Sequence, residues 1–261
     1  MDHFVEKFGE KIYQEKIVLS ISSVLGFLFL WYLITDLFGF MPAIVLPSPE
    51  KVFFTLYEKI LVPVGEEKLL GHIGVSLVRI LVGVGIALGL AIPLGVLIGW
   101  YEDLDSLASP IIEVLRPIPP IAWIPLAILW FGIGLGSKVF IIAIGVFFPT
   151  LINTYIGVKF VDPVLIKAAQ TLGAKDKDIL WEVVVPASVP LIVAGVRIGV
   201  GLGMMCLVAA STGLGYLIML GGDDLKPELS ITGMILIGIL GLIADRVILG
   251  IERRLIYWKK E

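Results

Sequence analysis

"ILVGVGIALGLAIPLGVLIGWY", residues 80–101, contains no charged side chain. A helix needs about 20 mostly apolar residues to cross a bilayer. In lipid every backbone N–H and C=O must also be satisfied within the protein, which a helix achieves alone and an isolated strand does not. The same feature recurs outward from this stretch. Residues 17–35, 117–137, 139–158 and 198–222 are also uncharged. A shorter run, 229–244, reaches spanning length if 247–251 extend it past Asp245 and Arg246, whose side chains can reach the interface. Over 261 residues, 58% are hydrophobic, 16% are charged, and the mean hydropathy is +1.00. Soluble domains are about 45–50% apolar and about 25% charged, so a soluble fold and a disordered chain are both excluded. A net charge of −3 argues against a nucleic-acid binder, which needs a basic face. The single cysteine, Cys206, allows neither an internal disulfide nor a CxxC metal site, and His3 and His72 belong to no HExxH motif. The expected fold class is an all-α integral membrane protein with six transmembrane helices.

The expected organisation is an N-terminal tail at 1–16, a first span at 17–38 and an outer connection at 39–70. A core domain at 71–254 and a C-terminal tail at 255–261 follow. The run beginning at 17 is too long for a signal-peptide core, and 39–47 holds no clear small-x-small cleavage site, so it reads as a retained span. Six spans put both termini on one side. With the termini inside, inner segments carry 14 Lys and Arg and outer segments 6, which assigns the termini to the cytoplasm of a cell membrane. "LPSPEKV", 46–52, has two prolines followed by helix formers and reads as a surface helix between spans one and two.

Glycine and proline mark special places inside the spans. Gly85 and Gly89 form a GxxxG pair, as do Gly195 with Gly199 and Gly199 with Gly203. Such pairs let helix backbones approach closely. They fit static packing or helices that slide during transport. Pro110, Pro117, Pro119, Pro120 and Pro125 crowd the third span. They fit a broken, gating helix, or a helix that begins near Ile121 after a proline-rich lead-in.

Residues 161–190 separate spans four and five. Asp162-Pro163 is a helix start, with Asp as N-cap and Pro at the first helical position. Leu165, Ala168, Ala169 and Leu172 share one helix face, and Gly173 provides a stop. A second helix is expected from about Lys175 to Val185, ended by Pro186. The pattern fits a docking element or an amphipathic segment on the bilayer surface.

"IKAAQTLGAKDKDILWEVVVPASVP", 166–190, resembles the EAA loop of binding-protein-dependent ABC importer permeases. Ala168 and Ala169 match its two alanines and Gly173 its glycine. Lys167 stands where the pattern has glutamate, and valines replace its isoleucine and leucine before Pro186. "RPIPPIAWIPLAILWFGIG" (116–134), "FFPTLIN" (147–153), "VDPVLIKAAQTLGA" (161–174) and "GLGYLI" (213–218), together with 46–52, resemble the nitrate/sulfonate/taurine branch in the family's order. The resemblance implies a MetI-like bundle with a cytoplasmic coupling loop, in which Lys167, Ala168, Ala169, Leu172, Gly173 and Ala174 meet the ATPase. It also implies two ABC ATPase subunits carrying ATP and Mg, a second copy of the permease or a close homologue, and an extracytoplasmic solute-binding protein. No cofactor in this chain is implied.

"GIGLGSK", 132–138, is not a Walker A loop, because Val139 follows Lys138 where Ser or Thr would hold Mg²⁺. An ion-driven carrier usually keeps an ionisable residue deep in the membrane, and the uncharged runs hold none. A membrane enzyme would need a catalytic or metal cluster there, and no such pattern occurs. Thr150, Asn153, Thr154, Met204, Met205 and Ser211 are the polar or soft residues that could line a solute pathway. Asn153 requires a helix–helix hydrogen bond or a solute contact. Arg197 fits either an anion on exit or a side chain reaching lipid headgroups.

Overall fold

The computed structural model describes residues 18–65, 67–208 and 212–255. The N-terminal tail, nearly all of the C-terminal tail and Ser211 therefore lie outside the described residues. The described residues fold into ten helices: α1 (Val18–Leu37), α2 (Pro49–Leu61), α3 (Leu69–Trp100), α4 (Glu102–Leu115), α5 (Ile124–Phe131), α6 (Leu135–Lys159), α7 (Pro163–Thr171), α8 (Asp176–Val208), α9 (Leu214–Asp223) and α10 (Pro227–Leu255). A 3₁₀ turn, Pro120–Trp123, leads into α5. Five helices, α1, α3, α6, α8 and α10, are long and apolar enough to cross a membrane. α4 and Pro120–Phe131 reach that length and apolarity only together, and they are bent by 89° at the short break between them. The prolines lead into the short helix α5, and the chain turns sharply where they lie.

Two compact units make up the chain. One comprises Leu69–Tyr216 and Gly233–Glu261. At its centre α6 packs between α3 and α8, and residues without bulk make this possible. On α3, Gly83, Ala87, Ala91, Gly95 and Gly99 recur every fourth position, which keeps them on one face. A Cβ added at Gly83 would lie 2.7 Å from Ile142, at Gly95 2.7 Å from Thr154 and at Gly99 2.8 Å from Val158. On α8, a Cβ would lie 2.6 Å from Asn153 at Gly195, 2.7 Å from the Val146 carbonyl at Gly199 and 2.8 Å from Val146 at Gly203. Lipid tails are as apolar as these side chains, so close backbone packing supplies the attraction that the hydrophobic effect cannot. Gly85 and Gly89 differ, because nothing lies within 4 Å of a Cβ at either position. Among the described residues that GxxxG pair is not a helix contact.

α8 corrects the expectation of a short helix ending at Pro186. Asp176–Ile179 runs through a π turn, Leu180–Val184, and on into Val185–Met205 without a break. The Val185 N–H bonds to the Leu180 carbonyl five residues back. This wider turn sets the register so that Pro186 falls at the first turn of the following segment, where its missing N–H costs little. The long uncharged run at 198–222 is in turn not one span. The described part of α8 ends at Val208, and Gly213, at φ 88°, precedes α9. At the start of α4, Glu102, Asp103 and Asp105 occupy the first turn, where acidic groups complement the helix dipole. Lys159 Nζ donates to Asp105 Oδ2 at 2.5 Å and to Tyr155 Oη at 2.7 Å, tying the start of α4 to the end of α6.

The other unit comprises Met1–Lys68 and Leu217–Thr232. Ser48 caps α2 by accepting the Lys51 N–H at 3.3 Å. Trp31 Nε1 donates to the Pro47 carbonyl at 3.0 Å, and Lys51 pairs with Glu228 at 3.3 Å. The most apolar stretch of α1 has no buried residue, in keeping with a lipid-facing span.

Candidate functional site

α7 is built to a fixed length by its caps. The Asp162 carboxylate accepts the Val164 N–H at 2.9 Å, with Pro163 at the first helical position. At the other end the Ala174 N–H reaches the Ala169 carbonyl at 3.1 Å and the Gly173 N–H reaches the Gln170 carbonyl at 2.9 Å. These two bonds, with Gly173 at φ 83°, form a Schellman stop. Nothing lies within 4 Å of a Cβ at Gly173, so the left-handed backbone is what requires glycine there, not crowding within the chain.

The six expected coupling residues divide between two faces. Ala169 and Ala174, with Ile166, pack on a buried cluster of Val96, Val158, Val161, Ile179, Leu180 and Val184. That cluster joins the end of α3, the end of α6 and the start of α8. Lys167, Ala168, Leu172 and Gly173 are exposed, Leu172 to 88%. The result is a short rigid helix seated on the ends of three spans, presenting an apolar knob and small residues outward.

A groove of about 430 Å³ opens beside the break between α4 and α5. Arg116, Pro117 and Pro120 line it from the break, Phe148 and Ile152 from α6, and Leu202 from α8. Arg116 is the only charged side chain in its lining. The polar pathway candidates sit elsewhere. Thr150 and Thr154 are fully buried, Thr150 against Gly199 of α8 and Thr154 against Gly95 of α3. Asn153 Nδ2 donates to the Pro149 carbonyl of its own helix at 2.8 Å, which satisfies one of its two N–H donors without a second helix or a solute. Met204 is buried in the central cluster, and Met205 is 65% exposed. None of these five lines the groove. Sequence reasoning searched for polar residues and passed over the groove's face of α6, where Ile144, Phe148 and Ile152 recur every four residues. Arg197 does not extend to lipid headgroups alone, since its Nε donates to Asp245 Oδ1 at 2.9 Å.

Helices long and apolar enough to cross a membrane, a sharply bent pair and a capped helix seated on helix ends describe an integral membrane bundle. Comparison with known proteins identifies which kind. Residues 91–257 match the family described as "Binding-protein-dependent transport system inner membrane component". A putative ABC transporter permease of Methanocaldococcus jannaschii is 43% identical over 256 residues, covering 96% of this chain and 95% of that one. The taurine transport system permease TauC of Escherichia coli K12 is 34% identical, covering 94% and 91%. The nitrate import permease NrtB of Synechocystis is 33% identical, covering 92% and 90%. The inward-facing MetNI methionine ABC transporter superposes with a TM-score of 0.61 at 20% identity, over 80% of this chain and 99% of the matched chain, which supports the fold. The chain belongs to the inner-membrane permease family of binding-protein-dependent ABC importers. It is a multi-pass membrane permease subunit and not itself an enzyme, and members of its family work with an ATPase and a binding protein.

Proposed function

We propose that this permease imports a small anion such as a sulfonate, taurine, nitrate or a similar solute. Relatives named for taurine, aliphatic sulfonates and nitrate, matched over nearly the whole chain, support this class. Both termini face the cytoplasm, a reading that rests on the Lys and Arg bias. Two copies of the permease, or this chain and a close homologue, sit on two ATPases that hold ATP and Mg. A binding protein delivers the solute from outside.

The observation that carries the reading is α7, a rigidly capped helix whose Leu172, Lys167, Ala168 and Gly173 are exposed among the described residues. These residues enter a groove of the ATPase. Movement of the ATPase pair is transmitted by Ala169 and Ala174 to the ends of α3, α6 and α8. The solute moves along the groove beside Arg116, which attracts an anion without enclosing it. Thr150, Asn153, Thr154 and Met204 serve this path by fixing α6 against its neighbours, while Met205 and Ser211 remain candidates for direct contact. The test is a Leu172→Cys variant cross-linked in membranes containing the co-expressed ATPase. A permease–ATPase adduct supports the reading, and its absence with a fully reactive thiol overturns it.

A further inference from the structure

We infer that the polar face of α3 around Arg79 is an oxyanion site, at which the solute's anionic group displaces the Thr212 hydroxyl from the guanidinium. This rests on the anion-import reading above and adds a binding residue to it. His72, Ser76 and Arg79 occupy relative positions 0, 4 and 7 of α3, one face of the helix, and are 3%, 1% and 5% exposed. Each holds one residue of the link between α8 and α9. The Gly213 N–H donates to His72 Nδ1 at 3.1 Å and the Leu214 N–H to Ser76 Oγ at 2.9 Å. Arg79 Nη1 donates to the Thr212 carbonyl at 2.5 Å, and Nη2 donates to the Thr212 hydroxyl. Gly213 is enclosed by the clamp, for a Cβ there would lie 2.7 Å from Ser76 Oγ and 3.1 Å from Arg79 Nη1.

This arrangement leaves Arg79 short of what a buried guanidinium needs. Its acceptors are neutral, and its buried Nε has none. Among the described residues no carboxylate pairs with it. A buried cation is costly without an anion, and hydrogen bonds to charged acceptors are about twice as strong as those to neutral ones. The Nε–H and one Nη–H together form a planar fork that fits two oxygens of a sulfonate or nitrate. An anion on that fork takes the Nη2 donor from the Thr212 hydroxyl, while Nη1 keeps the Thr212 carbonyl. Residues 212–214 then lose one of the bonds that hold them to α3, so solute binding loosens this segment.

The test is hydrogen–deuterium exchange of the peptide containing Gly213 and Leu214, in the full-length chain in lipid nanodiscs. The probe is methanesulfonate, with neutral dimethyl sulfone as the matched control. Methanesulfonate alone is expected to speed exchange roughly fivefold, the effect of losing about one hydrogen bond. Arg79→Gln abolishes the response, and Thr212→Val, which removes the competing hydroxyl, lowers the half-saturating concentration roughly fivefold. Exchange indifferent to methanesulfonate, or an equal response in Arg79→Gln, overturns the site. If Arg79→Gln does not fold, an unchanged half-saturation in Thr212→Val overturns it instead. Loosening by a solute-free binding protein but not by methanesulfonate also overturns it, by assigning Arg79 to a protein partner. Import of a cationic solute by the assembled transporter would refute the anion-import reading without altering the exchange result, so the two failures are distinguishable.

Discussion

Arg197 Nε donates to Asp245 Oδ1 at 2.9 Å, an ion pair that ties α8 to α10 across 48 positions of sequence. Both side chains are a little under 40% exposed. Each charge makes the other tolerable in a long apolar helix. The pair also gives α10, whose most apolar stretch has no buried residue, a polar tether.

Removing one partner leaves the other charge unmatched. Arg197→Gln and Asp245→Asn are each expected to lower the thermal stability of the detergent-solubilised protein. The double variant is expected to lose less than the sum, with a coupling of about 1 kcal/mol. Strict additivity in a double-mutant cycle followed by thermal unfolding would show that the pair contributes nothing.

The glycines of α3 give an internal control. Gly95→Ala places a methyl group against Thr154, where there is no space for it, and overpacking costs about 1–3 kcal/mol. Gly85→Ala and Gly89→Ala meet open space and replace the poorest ordinary helix former with the best, so they are expected to be neutral or stabilising. Melting temperatures of the three single variants compare them directly. Gly85→Ala as damaging as Gly95→Ala would assign that face to a contact with another subunit.

Gly173→Leu imposes a side chain on a backbone at φ 83°, at a strain of about 1–2 kcal/mol. The residue lies beyond the spans, so insertion and expression are expected to be normal. Uptake by the complete transporter is expected to fall while ATP hydrolysis continues. Gly173→Asn, which tolerates the left-handed region, is expected to retain most uptake. Equal uptake by wild type and Gly173→Leu would remove α7 from the coupling step.

Lys68 and Lys175 are exposed and flank opposite ends of the run from α3 to α7. In a Cys206→Ala background, Lys68→Cys is expected to react with an impermeant maleimide on intact cells. Lys175→Cys is expected to react only after permeabilisation. Labelling of both from one face would refute the six-span arrangement.

Much of this was legible in the sequence because it depends on local chemistry. Uncharged length marked the apolar helices α1, α3 and α6, since lipid penalises any charge wherever it occurs. The run 117–137, however, covers only α5 and the start of α6, and the run 198–222 divides between α8 and α9. Asp162-Pro163 and Gly173 marked the ends of α7, since caps depend on a few neighbouring residues. Other features required the fold. The Gly85–Gly89 and Gly195–Gly199 pairs have the same spacing, yet only the latter meets a helix, because spacing reports a face and not its neighbour. Asn153 found its acceptor one turn back at Pro149. Pro186 did not end a helix, because the π turn at Leu180–Val184 absorbed it. Arg79 meets Thr212 across 133 positions, and Arg197 meets Asp245 across 48. A sequence shows which side chains need partners, whereas only the packing of α3, α6, α8 and α10 decides which partners come within a hydrogen bond's length.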